Sequence, residues 1–290
     1  MDKTDILQKK NHDEDDLLKS ESPSTSAQIH SKNFDSLALE NSKSSEEISS
    51  RSSSVSPVSP PQKLPYTKQS TGNADLDAFL NGGYDGDVIT TFYGPSGVGK
   101  TTLCILAAIT VVRSGKRVIY IDTEASFSVE RLIQLAPDDY EYILSNLLFL
   151  RPVDFEEQQK AFDKLRTLVD KNIGLVVIDT ISMLYRLAVG QTKDVYDVNK
   201  KLGMQLSFLT EIARKKHIPV IIANQVYSSF EDKDKVNMVG GDILRYSSKT
   251  LIELQSSVTG SRTLIIRKSR SLPEGKMFDF DIIQEGIKKQ

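Results

Sequence analysis

The stretch "VITTFYGPSGVGKTTLCILAAI" constrains the fold of this chain more than any other. An apolar, β-branched run ends in a glycine-containing loop, and an apolar helix-forming run follows at once. Gly94, Gly99, Lys100 and Thr101 satisfy the G-x-x-x-x-G-K-[ST] pattern of a phosphate-binding loop. Such a loop, here Gly94, Pro95, Ser96, Gly97, Val98 and Gly99, wraps phosphates with its backbone N–H groups. The helix opened by Lys100, Thr101 and Thr102 adds the positive end of its dipole. Lys100 is expected to reach the β- and γ-phosphates of a nucleoside triphosphate, and Thr101 to ligate Mg2+. A strand before the loop and a helix after it predict an α/β sheet whose ligand lies at the carboxyl end of the strands.

Alternation continues along the chain. "RVIYIDTE", "LLFLRP", "GLVVID" and "PVIIAN" are strand-like runs separated by helical stretches after Lys100, from Val129, around 156–169 and around 198–216. Continuous β-branched runs between helices predict a mainly parallel sheet covered on both faces. After "PVIIAN" the pattern changes: "TLIELQ", "RTLIIRK" and "MFDFDII" read as consecutive strands with short turns, an antiparallel C-terminal extension of the same sheet. Ahead of the core, from Ser20 to Pro61, serine dominates and apolar residues are too sparse to offset the entropy of ordering the backbone. Residues 1–66 are therefore read as a disordered, Ser-rich acidic tail and residues 67–290 as the folded core. Within the tail, Ser22, Ser56 and Ser59 precede proline and are candidate phosphorylation sites. "MDKTDILQKK" and "NFDSLALE" are candidate docking turns.

Composition excludes several chemistries. One cysteine, Cys104, allows neither an intramolecular disulfide nor a thiolate zinc site, and His12, His30 and His217 are scattered. No apolar run is long enough to span a membrane and the first twenty or so residues are acidic and polar, so a soluble cytoplasmic protein is expected.

The second half of a nucleotide site needs a carboxylate at the end of an apolar strand. Asp179, closing "GLVVID", is the candidate for holding the metal through Thr101 or water. Hydrolysis also needs a base that orients water. Asp122 and Glu124 both end "VIYIDTE", and spacing alone does not separate them. Asn224 and Gln225 end another strand at the same edge, where a neutral amide can sense a γ-phosphate without competing for the metal.

Several segments together resemble the RecA family of recombination ATPases, over residues 67 to 285. They are "STGNADLDAFLNGGYDGDVITTFYGPSGVGKTTL", "YIDTEASFSVERL", "LVVIDTISMLYR", "IIANQVYS" and "GGDILRYSSKTLIEL". They are similar to the archaeal and eukaryotic strand-exchange recombinases. "RKSRSLPEG" points within that family to the short archaeal paralogues that lack a helix-hairpin-helix domain ahead of the core. The resemblance implies ATP with Mg2+, Glu124 as the water-activating base, and Gln225 as the residue that reports the γ-phosphate to the following DNA-binding loop. It also places Arg131 against the adenine. Two loops, after "SMLYRLAVG" and after Gln225, would bind single-stranded or branched DNA, with Tyr185, Tyr227 and Phe230 as candidate stacking residues. The second, "YSSFEDKDKVNMVGG", is short and of mixed charge, which argues against efficient strand exchange. Lys268 and Arg270 match a spacing that in bacterial RecA reaches a neighbouring subunit's phosphates, which leaves three readings open: a phosphate contact in trans, a DNA contact, or a solvated basic turn. "ARKKH" at a helix end is read as a complement to the helix dipole. The implied function is an accessory of homologous recombination and DNA repair that hydrolyses ATP weakly and modulates a RadA-like main recombinase, with possible self-association. The alternatives are a filament-forming strand-exchange recombinase and a KaiC-like signalling ATPase. Against the first, "FDSLA" at Phe34 has one residue too many for a Phe-x-x-Ala polymerisation motif; against the second, Glu124 is followed by Ala125 rather than a second glutamate.

Overall fold

Neighbouring residues of each central strand pack into opposite layers, which is why those strands read as unbroken apolar runs. Val118 and Tyr120 join one core while Ile119 and Ile121 join the other; Leu175 and Val177 alternate in the same way with Val176 and Ile178. The computed structural model describes residues 67–228, 236–257 and 260–290. The tail and its candidate phosphorylation and docking sites lie outside the described residues.

In chain order the elements begin with β1 (Lys68–Gln69), α1 (Ala74–Phe79), β2 (Tyr84–Asp85), β3 (Ile89–Tyr93) and α2 (Lys100–Arg113). Next come β4 (Arg117–Asp122), α3 (Val129–Leu135), α4 (Tyr140–Ser145), β5 (Leu147–Leu150), α5 (Phe155–Leu168) and β6 (Ile173–Asp179). The remainder is α6 (Ser182–Gln191), α7 (Val195–Lys216), β7 (Val220–Asn224), β8 (Val226–Ser228), β9 (Val236–Met238), α8 (Gly241–Ser247), β10 (Thr250–Ser256), β11 (Arg262–Lys268), β12 (Met277–Ile283) and β13 (Gly286–Lys289). Nine strands form one sheet in the order β13-β12-β11-β10-β3-β7-β6-β4-β5. From β10 to β5 every pairing is parallel, and from β10 to β13 every pairing is antiparallel. The sheet is thus a mainly parallel one with an antiparallel C-terminal extension. The turning point is β10, which runs beside β3 with Thr250 opposite Thr90 and Glu253 opposite Tyr93. Helix α8 makes this possible by carrying the chain back after β9; its seven residues are too few to show a helical period in the sequence.

Helices α1–α4 cover one face and α5–α8 the other. Side-chain caps fix the starts of α1, α3, α5 and α7: Asn73 accepts from Leu76 N, Ser128 from Arg131 N, Asp154 from Glu157 N and Asp194 from Asp197 N. The helix after the glycine loop has no such cap. Its first N–H groups are left for another acceptor.

Candidate functional site

The loop between β3 and α2 is held open by its glycines. Gly97 has φ of 77° and an added Cβ there would meet nothing within 4 Å, so there the backbone conformation is the demand. A Cβ on Gly94 would collide with the carbonyl oxygen of Leu254 in β10, so there the close approach of two strands is the demand. At Gly99, φ is 101° and an added Cβ would stand 2.6 Å from Ile282 Cδ1 at the end of β12.

Lys100 is buried, and its ammonium donates to the carbonyls of Gly94 at 2.9 Å and Pro95 at 2.7 Å. Burial lowers its pKa, and the nearby charges of Asp179 and Glu124 oppose that shift. The ammonium therefore sits inside the loop, where phosphate oxygens would compete with the two carbonyls for it.

Asp179 ends β6 almost wholly buried, and its Oδ2 accepts three hydroxyls: Thr101 Oγ1 at 2.7 Å, Tyr120 OH at 3.0 Å and Ser126 Oγ at 3.1 Å. Desolvation raises its pKa; the three donors pull it back down. Thr101 spends its proton on Asp179, which leaves its oxygen lone pairs for a cation at the first turn of α2. Hard oxygen donors of this kind fit Mg2+, which keeps water and phosphate oxygens as most of its ligands. The two residues would hold the ion, and the ion would neutralise charge on the phosphates.

The structure separates the pairs that spacing left together. Asp122 is 2% exposed and turned into its own loop, accepting from the backbone N–H groups of Ser126 at 3.0 Å and Phe127 at 3.4 Å. Glu124 is half-buried, and its Oε1 accepts from Gln225 Nε2 at 2.7 Å and Thr180 Oγ1 at 2.8 Å. Directly after Glu124, Ala125 takes φ of 51°, the left-handed region that an alanine seldom occupies. Asn224 is fully buried and donates to the carbonyls of Gln225 and Val239, so it braces the base of the β8–β9 hairpin. Gln225 faces the other way, toward Glu124.

Arg131, near the start of α3, reaches the β12–β13 turn. Its guanidinium donates to Gln134 Oε1 and to the carbonyls of Ile283, Gln284 and Gly286. A guanidinium held by its edges can still stack through its face. Tyr185 packs edge-on against Phe155 and donates to Asn199 at 2.7 Å, so it is seated between helices. Phe230 and the side chain of Tyr227 lie outside the described residues.

Lys268 and Arg270 lie across the sheet from this loop. Lys268 pairs in register with Leu251 and donates to the carbonyls of Arg245 and Ser248 at 2.8 Å each, at the end of α8. Arg270 forms an ion pair at 2.9 Å with Asp87, which precedes β3, whereas Gly94 follows it. Both cations stand at the amino edge of the sheet; Lys100, Glu124, Asp179 and Gln225 gather at the carboxyl edge.

Four neighbours of the site escape a reading by motif. Thr180, Tyr120 and Ser126 each donate to an acid named above. Glu253, buried inside "TLIEL" opposite Tyr93, accepts from Tyr93 OH at 3.3 Å and pairs with Arg267 at 2.7 Å. A carboxylate in the middle of an apolar run was the only available signal for Glu253. Burial and the adjacent Glu253 push the Tyr93 phenol well above its usual pKa.

A phosphate loop on a mainly parallel sheet, with acid and amide side chains at the carboxyl edge, defines a RecA-like P-loop protein. The sequence matches the Rad51 family over residues 64–290, and the chain belongs to that family. It is similar to the DNA repair and recombination protein RadB of Methanococcus maripaludis strain C7, with 40% identity over 213 residues, 73% of this chain and 96% of the relative. RadB of Methanobrevibacter smithii is 36% identical over 221 residues, 74% of this chain and 93% of its own length. The crystal structure of the RadB recombinase superposes with a TM-score of 0.65 at 38% identity, covering 76% of this chain and 98% of that one. Among the described residues no helix is long and apolar enough to cross a membrane.

Proposed function

We propose that this chain binds ATP with Mg2+, hydrolyses it slowly, and binds single-stranded or branched DNA as an accessory of homologous recombination, modulating a RadA-like main recombinase. The observation that carries this reading is the 2.7 Å hydrogen bond between Gln225 and Glu124. Glu124 is the group that would take a proton from water, its Oε2 being the oxygen that accepts neither of these two bonds. Gln225 directly precedes the β8–β9 hairpin, so a change at the γ-phosphate moves a residue attached to the proposed DNA loop. The sites of Lys100, Thr101 and Asp179 supply charge stabilisation, and Arg131 supplies a surface for the base.

As contacts to a nucleotide, rather than to DNA, Lys268 and Arg270 fit the reading only in an assembly. At the amino edge they cannot reach their own loop, so a phosphate contact would be to another copy and would need Lys268 to leave its two carbonyls.

The test is phosphate release measured together with binding of labelled DNA, with and without ATP and Mg2+. Glu124→Gln should lower turnover by two to four orders of magnitude, roughly the range of a lost general base, while ATP-dependent DNA binding persists. Unchanged turnover would remove Glu124 from the chemistry. Turnover strongly stimulated by DNA would favour an active recombinase over an accessory.

A further inference from the structure

Several cations converge on a depression of about 580 Å3 at the amino edge of the sheet, opposite the nucleotide loop. Lys116 comes from the turn after α2, Lys171 from the loop before β6, and Lys215 and Lys216 from the end of α7, with His217 also in the lining. Lys68 also lines it but is committed to Asp85 at 2.8 Å, and Lys215 is paired with Glu211 at 2.7 Å. Lys116 donates to the carbonyl of Lys171, while the ammonium groups of Lys171 and Lys216 have no carboxylate within ion-pair distance among the described residues. The one carboxylate of the lining, Asp170, accepts from Asn172 through both its backbone and its side chain.

The depression has a shaped floor. Gly174 in β6 has no side chain, and a Cβ there would stand 2.8 Å from Lys116 Cβ. The stem of Lys116 thus lies against the strand backbone. Helix dipoles account for cations at the end of α7, but not for a seated lysine from one loop beside a free one from another.

We propose that this depression is a second contact for nucleic-acid phosphates, made by Lys116, Lys171 and Lys216 and independent of ATP. The inference rests on the DNA-binding reading above. It answers a difficulty in that reading. The loop after Gln225, "YSSFEDKDKVNMVGG", carries three acidic residues against two lysines, too little positive charge to hold a phosphate backbone by itself. Cations at the opposite edge supply what the loop lacks.

The experiment compares the full chain with a Lys171→Ala, Lys216→Ala double variant and with the matching Lys→Arg pair. Labelled single-stranded and duplex DNA are titrated across a salt series, with and without ATP and Mg2+. Nucleotide binding and DNA-free phosphate release are followed in the same samples. Both lysines are exposed and far from the nucleotide loop, so those last two readouts should match the parent. Each lost duplex contact removes about 0.9 from the slope of log affinity against log salt, so the double variant should lose about 1.8. At 0.1 M salt this corresponds to roughly a fiftyfold loss of affinity, equal with and without ATP. The Arg pair should restore both. Parental affinity and slope in the double variant overturn this proposal and leave the DNA reading standing. A parent chain that binds no DNA at low salt overturns both.

Discussion

Replacing Thr180 by valine tests whether Glu124 is oriented for chemistry or merely packed. Thr180 is 1% exposed, and valine copies its shape, so the change removes one hydroxyl and leaves no cavity. That hydroxyl donates at 2.8 Å to the same oxygen that Gln225 reaches at 2.7 Å. Hydrogen bonds to charged groups contribute about 1.5–3 kcal/mol. Glu124 keeps its second donor and is half-buried, so water can replace part of the loss, and the low end, about 1.5 kcal/mol, is the expected cost. The Thr180 hydroxyl bonds Glu124, its backbone bonds Thr123, and among the described residues no hydrogen bond ties it to the phosphate loop. The hydroxyl fixes the carboxylate in one orientation, so its loss should lower the share of Glu124 that is placed to take a proton. About 1.4 kcal/mol is tenfold in rate, so single-turnover phosphate release should slow about tenfold. Nucleotide affinity should stay within about twofold, because the hydroxyl bonds Glu124 and not the loop proposed to hold the nucleotide. Thr180→Ser, which keeps the donor, should recover most of the rate. Weaker nucleotide binding with an unchanged rate would refute the reasoning, because it would place Thr180 on the nucleotide and not on the base.

Two other substitutions probe the same edge. Ala125→Gly removes a side chain from a backbone at φ of 51°, which costs about 1 kcal/mol or more in the left-handed region; the variant should melt about 2–4 °C higher. Asp179→Asn keeps the size and an acceptor for Thr101 but removes the charge. Mg2+ titrations of fluorescent-nucleotide binding should shift by about 10–100-fold, the usual effect of losing a group that orients a metal ligand, with melting close to the parent.

Local features of this site were legible in the sequence, and features set by tertiary contact were not. The phosphate loop is local: strand, glycines and helix adjoin in the chain, and Asp179 announces itself as an acid closing an apolar run. What sets Asp122 and Glu124 apart in space is the loop after β4, which spacing does not show; the preference for Glu124 comes from the family resemblance. Asp122 is taken by the N–H groups of Ser126 and Phe127 because Ala125 turns the backbone back over it. Asn224 and Gln225 are consecutive and face opposite ways, so one must brace and the other can sense, but their order in the chain does not say which. Thr180 and Glu253 were hidden for the same reason. Their partners, Glu124 and Tyr93, are distant in sequence, and β10 comes to lie beside β3 through the short helix α8.

The parallel sheet divides the chemistry between its two edges. Helices α2, α5 and α7 all end at the amino edge, where the negative ends of their dipoles favour lysine and arginine. The phosphate loop lies at the carboxyl edge, where α2 begins and its N–H groups favour anions. Lys268 and Arg270 belong to the first set by register, since β11 runs antiparallel to β10 and leaves the sheet beside Asp87. On the proposed reading, Lys100 and a metal ion are what a single copy brings to its own γ-phosphate among the described residues. If the rate per subunit rises with protein concentration, the added charge has come from another copy's amino edge, and it is Arg270, rather than any residue of the phosphate loop, that should abolish the rise when replaced.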